Sequence, residues 1–130
     1  MIPMIGILII THGTLGEALV QCLGHVMNRR PPQLMQLGIS GQDDPLDVLP
    51  LARRLVELVD SGSGVLILTD ILGATPANTA AKLLEPGRIE GVTGVNVPML
   101  LRVITYRERS IEVLVKKAVA GACEGVVHMK

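Results

Sequence analysis

The chain has 130 residues, 48% of them hydrophobic, and its 12 Lys+Arg are balanced by 12 Asp+Glu. That length is one domain, residues 1–130, at ~100–200 residues per domain, and a mean hydropathy of +0.48 excludes a disordered chain. A zero formal charge with no basic tail lacks the footprint of a nucleic-acid binder, and a single aromatic residue, Tyr106, cannot form a base-stacking platform.

Met4–Ile10 (MIGILII) is a continuous β-branched run that stops at Thr11-His12-Gly13. Such runs belong to strands covered on both faces. Thr14–Asn28 repeats Leu15, Ala18, Leu19, Cys22, Leu23 and Val26 at helical spacing, and Arg29-Arg30-Pro31-Pro32 ends it. Gln33–Ile39 alternates as a second strand. Asp43-Asp44-Pro45 starts a helix over Leu46–Val59, in which Pro50 predicts a kink or a delayed start. Gly64–Thr69 (GVLILT) is the strongest strand. Asp70–Thr75 is a loop, Pro76–Leu84 a short helix, and Gly91–Val97 a fourth strand. Pro98 opens a helix to about Arg107, Ser110 caps another to about Ala122, and Glu124–Met129 reads as a short strand.

The order βαβαβαβααβ predicts a doubly wound α/β fold. Its mainly parallel four-stranded sheet has helices on both faces and a short C-terminal edge strand. The apolar start Met1–Ile10 is broken by Pro3 and Gly6 and lacks a positive flank, so no signal peptide is expected. No run approaches the ~20 apolar residues that span a bilayer, so no membrane insertion is expected. Cys22 and Cys123 stand 101 positions apart, which reads as two free thiols in a cytoplasmic protein.

In doubly wound folds the ligand site lies at the carboxyl ends of the strands. That rule selects Thr11–Thr14, Asp70–Thr75 and Asn96–Met99. His12 ends a strand where a helix begins, so a nucleophilic nitrogen stands beside free N–H groups suited to an anion. The plain alternative is a loop histidine bonded to backbone. Asp70 ends the strongest strand and would meet His12 if the strands are neighbours. Its carboxylate would fix the imidazole tautomer; its plain alternative is a helix cap. Thr75 stands as N-cap before Pro76, with a hydroxyl for the helix or for a phosphate. The segment lacks the spacing and the lysine of a P-loop. His25, in mid-helix, and His128, in the tail, read as surface or packing residues. Scattered His and Cys give no metal spacing, and no cofactor is implied.

GILIITHG (6–13), VLILTDILGATPAN (65–78) and GVNVPML (94–100) together resemble the mannose-type IIA component of the bacterial phosphoenolpyruvate-dependent phosphotransferase system. The resemblance runs in order through nearly the whole chain and includes the stretch Glu124–Val126. It implies that His12 is the phosphorylated histidine, receiving phosphate from the carrier protein HPr. It implies that Asp70 orients the imidazole and that Thr75, with Gly13 and Gly73, lies at the phosphate. It further implies a cytoplasmic homodimer that exchanges its last strand. The downstream acceptor is a IIB component serving sugar uptake, or a regulatory target. Two residues depart from the family pattern: Ala74 replaces a second glycine, and Leu72 replaces an aromatic residue. With the sequence ending at Lys130, no fused IIB domain is expected. A methyl at Ala74 is expected to restrict the backbone or narrow the mouth of the site, and the departures point to a regulatory role as an alternative to sugar transport.

Three competing readings are weighed against the carrier. A receiver domain phosphorylated on Asp70 needs an acidic pair after the first strand, where Thr11-His12 stands. The phosphotransferase subunit of a dihydroxyacetone kinase usually lacks the Thr75-Pro76 pair. The third is a non-catalytic regulatory module that senses phosphorylation state.

Overall fold

The two segments with unbroken apolar runs take the centre of the sheet. The computed structural model describes residues 3–130, so Met1 and Ile2 of the apolar start lie outside the described residues. Strand β1 (Gly6–His12) pairs on one side with β2 (Leu34–Ile39) and on the other with β3 (Val65–Thr69); β4 (Ile89–Val92) pairs with β3. All pairings are parallel, and the order is β2-β1-β3-β4. Ile7–Ile10 and Val65–Leu68 are fully buried because both faces are covered.

Alternation along the strands feeds two cores. Ile7, Ile9, Leu66 and Leu68 pack with α1 (Leu15–Met27), α4 (Val97–Tyr106) and α5 (Ile111–Glu124). Leu8, Ile10, Val65 and Ile67 pack with α2 (Pro45–Val59) and α3 (Thr75–Ala81). The predicted doubly wound α/β fold is the observed one.

Three details differ from the sequence reading. Helix α2 neither waits for Pro50 nor stops at it. It starts at Pro45, where the Asp44 side chain accepts the Leu46 N–H at 2.9 Å. An interior proline costs about 3 kcal/mol, whereas burying one large aliphatic side chain returns about 1.5–3. Helix α2 buries Val48, Leu55, Val56 and Val59, so packing wins.

Strand β4 begins at Ile89 and ends at Val92, not Val97. Its partner β3 is only five residues long, and Val95 N–H already turns back to the Thr69 carbonyl at 3.0 Å. Asn96 then caps α4, accepting the Met99 N–H at 2.8 Å. Thr14, at the N-cap position of α1, makes no side-chain cap; the hydroxyl of buried Thr11 accepts the Gly16 N–H at 2.8 Å.

The expected strand at Glu124–Met129 is the third difference. Helix α5 continues through Glu124 because Ala118 and Gly121 stay buried, and residues 126–130 form no strand within the single chain. Val126, Val127 and Met129 are left exposed.

The end of the sheet away from the strands' carboxyl termini is closed by Arg107. Its buried guanidinium donates to the carbonyls of Ile5 (3.0 Å), Pro32 (2.6 Å) and Gln33 (2.7 Å). Burial pushes its pKa down to about 10, still charged at neutral pH. This clasp ties the end of α4 to the starts of β1 and β2.

Candidate functional site

Parallel pairing of β1 with β3 puts Ile10 opposite Thr69, so His12, the last residue of β1, lies beside Asp70, the first residue after β3. One carboxylate oxygen of Asp70, Oδ2, accepts the His12 backbone N–H at 3.0 Å and stands 2.7 Å from His12 Nδ1. The other, Oδ1, accepts the Ile71 N–H at 3.1 Å. An ionised carboxylate only accepts hydrogen bonds, so Nδ1 carries a proton, which in the neutral ring leaves the lone pair on Nε2.

The His12 side chain is 53% exposed and that of Asp70 15%. The imidazole is thus fixed at one nitrogen and open to solvent at the other. Partial burial raises the Asp70 carboxyl pKa. The hydrogen bonds from the His12 backbone and ring and from the loop backbone outweigh it, and hold Asp70 below the ordinary carboxylate value. Helix α3 has no side-chain cap, so Asp70 serves the histidine and not a helix end.

Gly13 shapes the turn that follows, at φ +52°. Its N–H donates to the Ile39 carbonyl at 2.9 Å, so that amide is committed to β2 and not free for an anion. The turn fits because β2 has a glycine opposite it. A Cβ on Gly38 would stand 2.0 Å from the Gly13 carbonyl oxygen. Gly38 and the Thr11 hydroxyl bond were both missed in the sequence. Gly38 carries the one signal that could have found it, a glycine inside a strand where another backbone comes close.

Gly73 (φ +85°) and Thr75 lie exposed in the loop after β3 and at the start of α3. Thr75 is the first helical residue and Ala74 the cap position, so the Thr75 hydroxyl is not spent on capping. Ala74 has φ −103°, ordinary extended backbone, and its methyl group imposes no strain there. Leu72 stands 78% exposed beside the pair. His25 and His128 are on α1 and in the tail, and neither joins the site. Among the described residues no group of three His, Cys, Asp or Glu could hold a metal ion, and no helix is long and apolar enough to cross a membrane.

Fold and pair together define a doubly wound domain that presents an oriented histidine nitrogen at the carboxyl end of its sheet. Residues 6–119 match the family described as EIIA-man, the PTS system fructose IIA component, where PTS is the phosphoenolpyruvate-dependent sugar phosphotransferase system. The chain belongs to this family of phosphotransferase components, as its resemblance to the mannose type implied.

Over 129 residues it is 30% identical to the mannose-specific EIIAB component of Escherichia coli K12, an alignment covering 97% of this chain. The chain spans 40% of that relative's length. It is 49% identical to the fructose-specific EIIA component of Bacillus subtilis over 45 residues, 34% of this chain and 31% of the relative. The crystal structure of component EIIA from Streptococcus agalactiae superposes with TM-score 0.85 at 25% identity, covering 96% of this chain and 97% of that one. The mannose/sorbose IIA subunit from Enterococcus faecalis shares the fold, with TM-score 0.86 at 15% identity over 98% and 96% of the two chains.

Proposed function

We propose that the protein is a phosphoryl carrier that accepts phosphate on His12 Nε2 from an HPr-type phosphocarrier protein and passes it to a IIB component or a regulatory target. The observation that carries this reading is the 2.7 Å contact between Asp70 and Nδ1 of a ring left half-exposed. The lone pair on Nε2 attacks phosphorus, the bond from phosphorus to the donor breaks, and the ring becomes cationic. The Asp70 carboxylate, already ionised, stabilises that cation without rearranging. The Thr75 hydroxyl and the backbone at Gly73 contact the phosphate, and Gly13 contributes the turn. Transfer onward reverses the step and returns a neutral ring. Leu15, Leu46, Ile71 and Leu72 are exposed near these strand ends, and an apolar surface around a nucleophile suits a protein partner better than a small solute.

Incubation with labelled phosphoenolpyruvate, the system's first enzyme and HPr tests the reading. The expected product is a labelled protein whose adduct is labile to acid and stable to alkali. An alkali-labile adduct identifies an aspartyl phosphate and replaces the carrier with the receiver reading.

The protein acts in this reading as a cytoplasmic homodimer that exchanges its tail. Among the described residues β3 is the one strand paired with β4, and beyond the single Glu85–Ile89 bridge the outer edge of β4 is open. Apolar cavities of 150 and 270 Å³ meet at Val92, one beside Leu84 and Gly91, the other beside Met99 and Val119. A partner's Val126–Met129 added to that edge would direct alternate side chains to the two faces and cover both cavities. Sedimentation at micromolar concentration should give a dimer, and deleting residues 126–130 should give a monomer. A dimer unaffected by the deletion rules out the exchange.

A further inference from the structure

The end of the sheet opposite His12 holds a buried charge that the chain itself does not pair. Arg107 is 4% exposed, and its three side-chain bonds go to neutral acceptors, the carbonyls of Ile5, Pro32 and Gln33. A guanidinium has five N–H donors, so one on each Nη is left over. Among the described residues Arg107 forms no ion pair. Buried charges are ordinarily paired. Arg107 stands at the carboxyl end of α4, which supplies about half a negative charge and so compensates it only in part.

The space beside Arg107 has the same sign. A cavity of 270 Å³ lies against it, with Pro31, Pro32 and Ile104 as apolar wall and with Arg29 and Glu108 as its other charged residues. Arg29 is exposed and also forms no ion pair among the described residues. With Glu108 and the helix end both counted, two arginines leave the cavity an excess of about half a positive charge.

We propose that this cavity binds a small organic anion, its phosphate or carboxylate group held between Arg107 and Arg29 and its apolar part against Pro31, Pro32 and Ile104. A guanidinium matches the oxygens of either group in its own plane. The plane of Arg107 is fixed beforehand by its three carbonyl bonds, so binding costs little side-chain entropy. The volume lies just below the ~300–1,000 Å³ of sites for drug-sized ligands, which limits the occupant to a small metabolite. The site is separate from His12, because the seven residues of β1, about 20 Å, lie between them.

The probes are inorganic phosphate and butyrate, each compared with sodium chloride at equal ionic strength. The readout is the NMR signal of Arg107 Nε–Hε, assigned by its loss in Arg107→Lys, together with the backbone amides of Ile104, Thr105 and Glu108. One or both probes should shift these signals saturably, with a midpoint on the order of 1 mM, as two charge-assisted contacts give. The stronger probe identifies the group. Arg29→Gln, an exposed change that leaves the fold intact, should raise the midpoint about tenfold, and His12→Ala should leave it unchanged. No saturable shift beyond that of sodium chloride at about 20 mM of either probe, well above the expected midpoint, overturns the proposal. So does an equal midpoint in Arg29→Gln, or a response lost in His12→Ala, which places the anion at the other end of the sheet.

Discussion

Replacing His12 with alanine should abolish phosphate acceptance, while the fold and the oligomeric state stay unchanged. The fold survives because His12 ends β1 with an exposed side chain and contributes nothing to either core. The backbone N–H that bonds Asp70 is retained. Acceptance is lost because no other group at these strand ends replaces Nε2. Thr75 carries an alcohol with no base bonded to it, and Asp70 yields a different, alkali-labile adduct. The measurement is single-turnover transfer from phosphorylated HPr, read as protein-bound label, with circular dichroism to verify the fold. His25→Ala and His128→Ala are the controls and should label like wild type. Label retained by His12→Ala and lost from either control refutes the assignment.

What could be read in advance followed from which residues answer to local rules. The runs at Ile7–Ile10 and Val65–Leu68 admit no exposed face, so they announced the sheet's centre and its parallel character. Asp70 and His12 are candidates because each stands two residues past such a run, and parallel pairing makes those positions neighbours. The errors lie where tertiary contacts overrule local signals. Pro50 breaks a helix in isolation but not one with Val48, Leu55, Val56 and Val59 buried. Strand β4 stops at Val92 because the carbonyl of the next β3 residue, Thr69, is taken by Val95 N–H, a fact written in another segment. Glu124–Met129 has strand composition, but the buried Ala118 and Gly121 carry α5 on through Glu124 and residues 126–130 stay unpaired within the single chain. The committed amide of Gly13 depends on Ile39, 26 residues away, and on the missing side chain of Gly38. No spacing rule within the first loop carries that information.

The Asp70 side chain should matter less absolutely than His12 and in a manner that charge explains. Asp70→Ala removes both the acceptor at Nδ1 and the negative charge. The ring is then free to turn or to change tautomer, and transfer should slow by about 10²–10⁴-fold, the range for losing a positioned acid–base partner. Asp70→Asn separates the two contributions. Its amide oxygen can still accept from His12 N–H and Nδ1–H, so orientation is largely kept, but the charge opposite the cationic ring is gone. Its rate should fall between those of wild type and Asp70→Ala, with little change in HPr binding. The pH dependence has a definite sign. The folded-state pKa of Asp70 lies below its ordinary value, so the folded state favours the ionised carboxylate. Its stabilising contribution is therefore complete above about 3.9, the unfolded value, and is lost as pH falls through the lowered folded value. Denaturant unfolding of wild type and Asp70→Asn should show the wild type more stable by a constant margin from pH 7 down to about 5. The margin should close in stronger acid. A margin that closes already between pH 7 and 5, or an Asp70→Asn protein that transfers phosphate at the wild-type rate, would show that the carboxylate charge does not hold the imidazole in its reactive form.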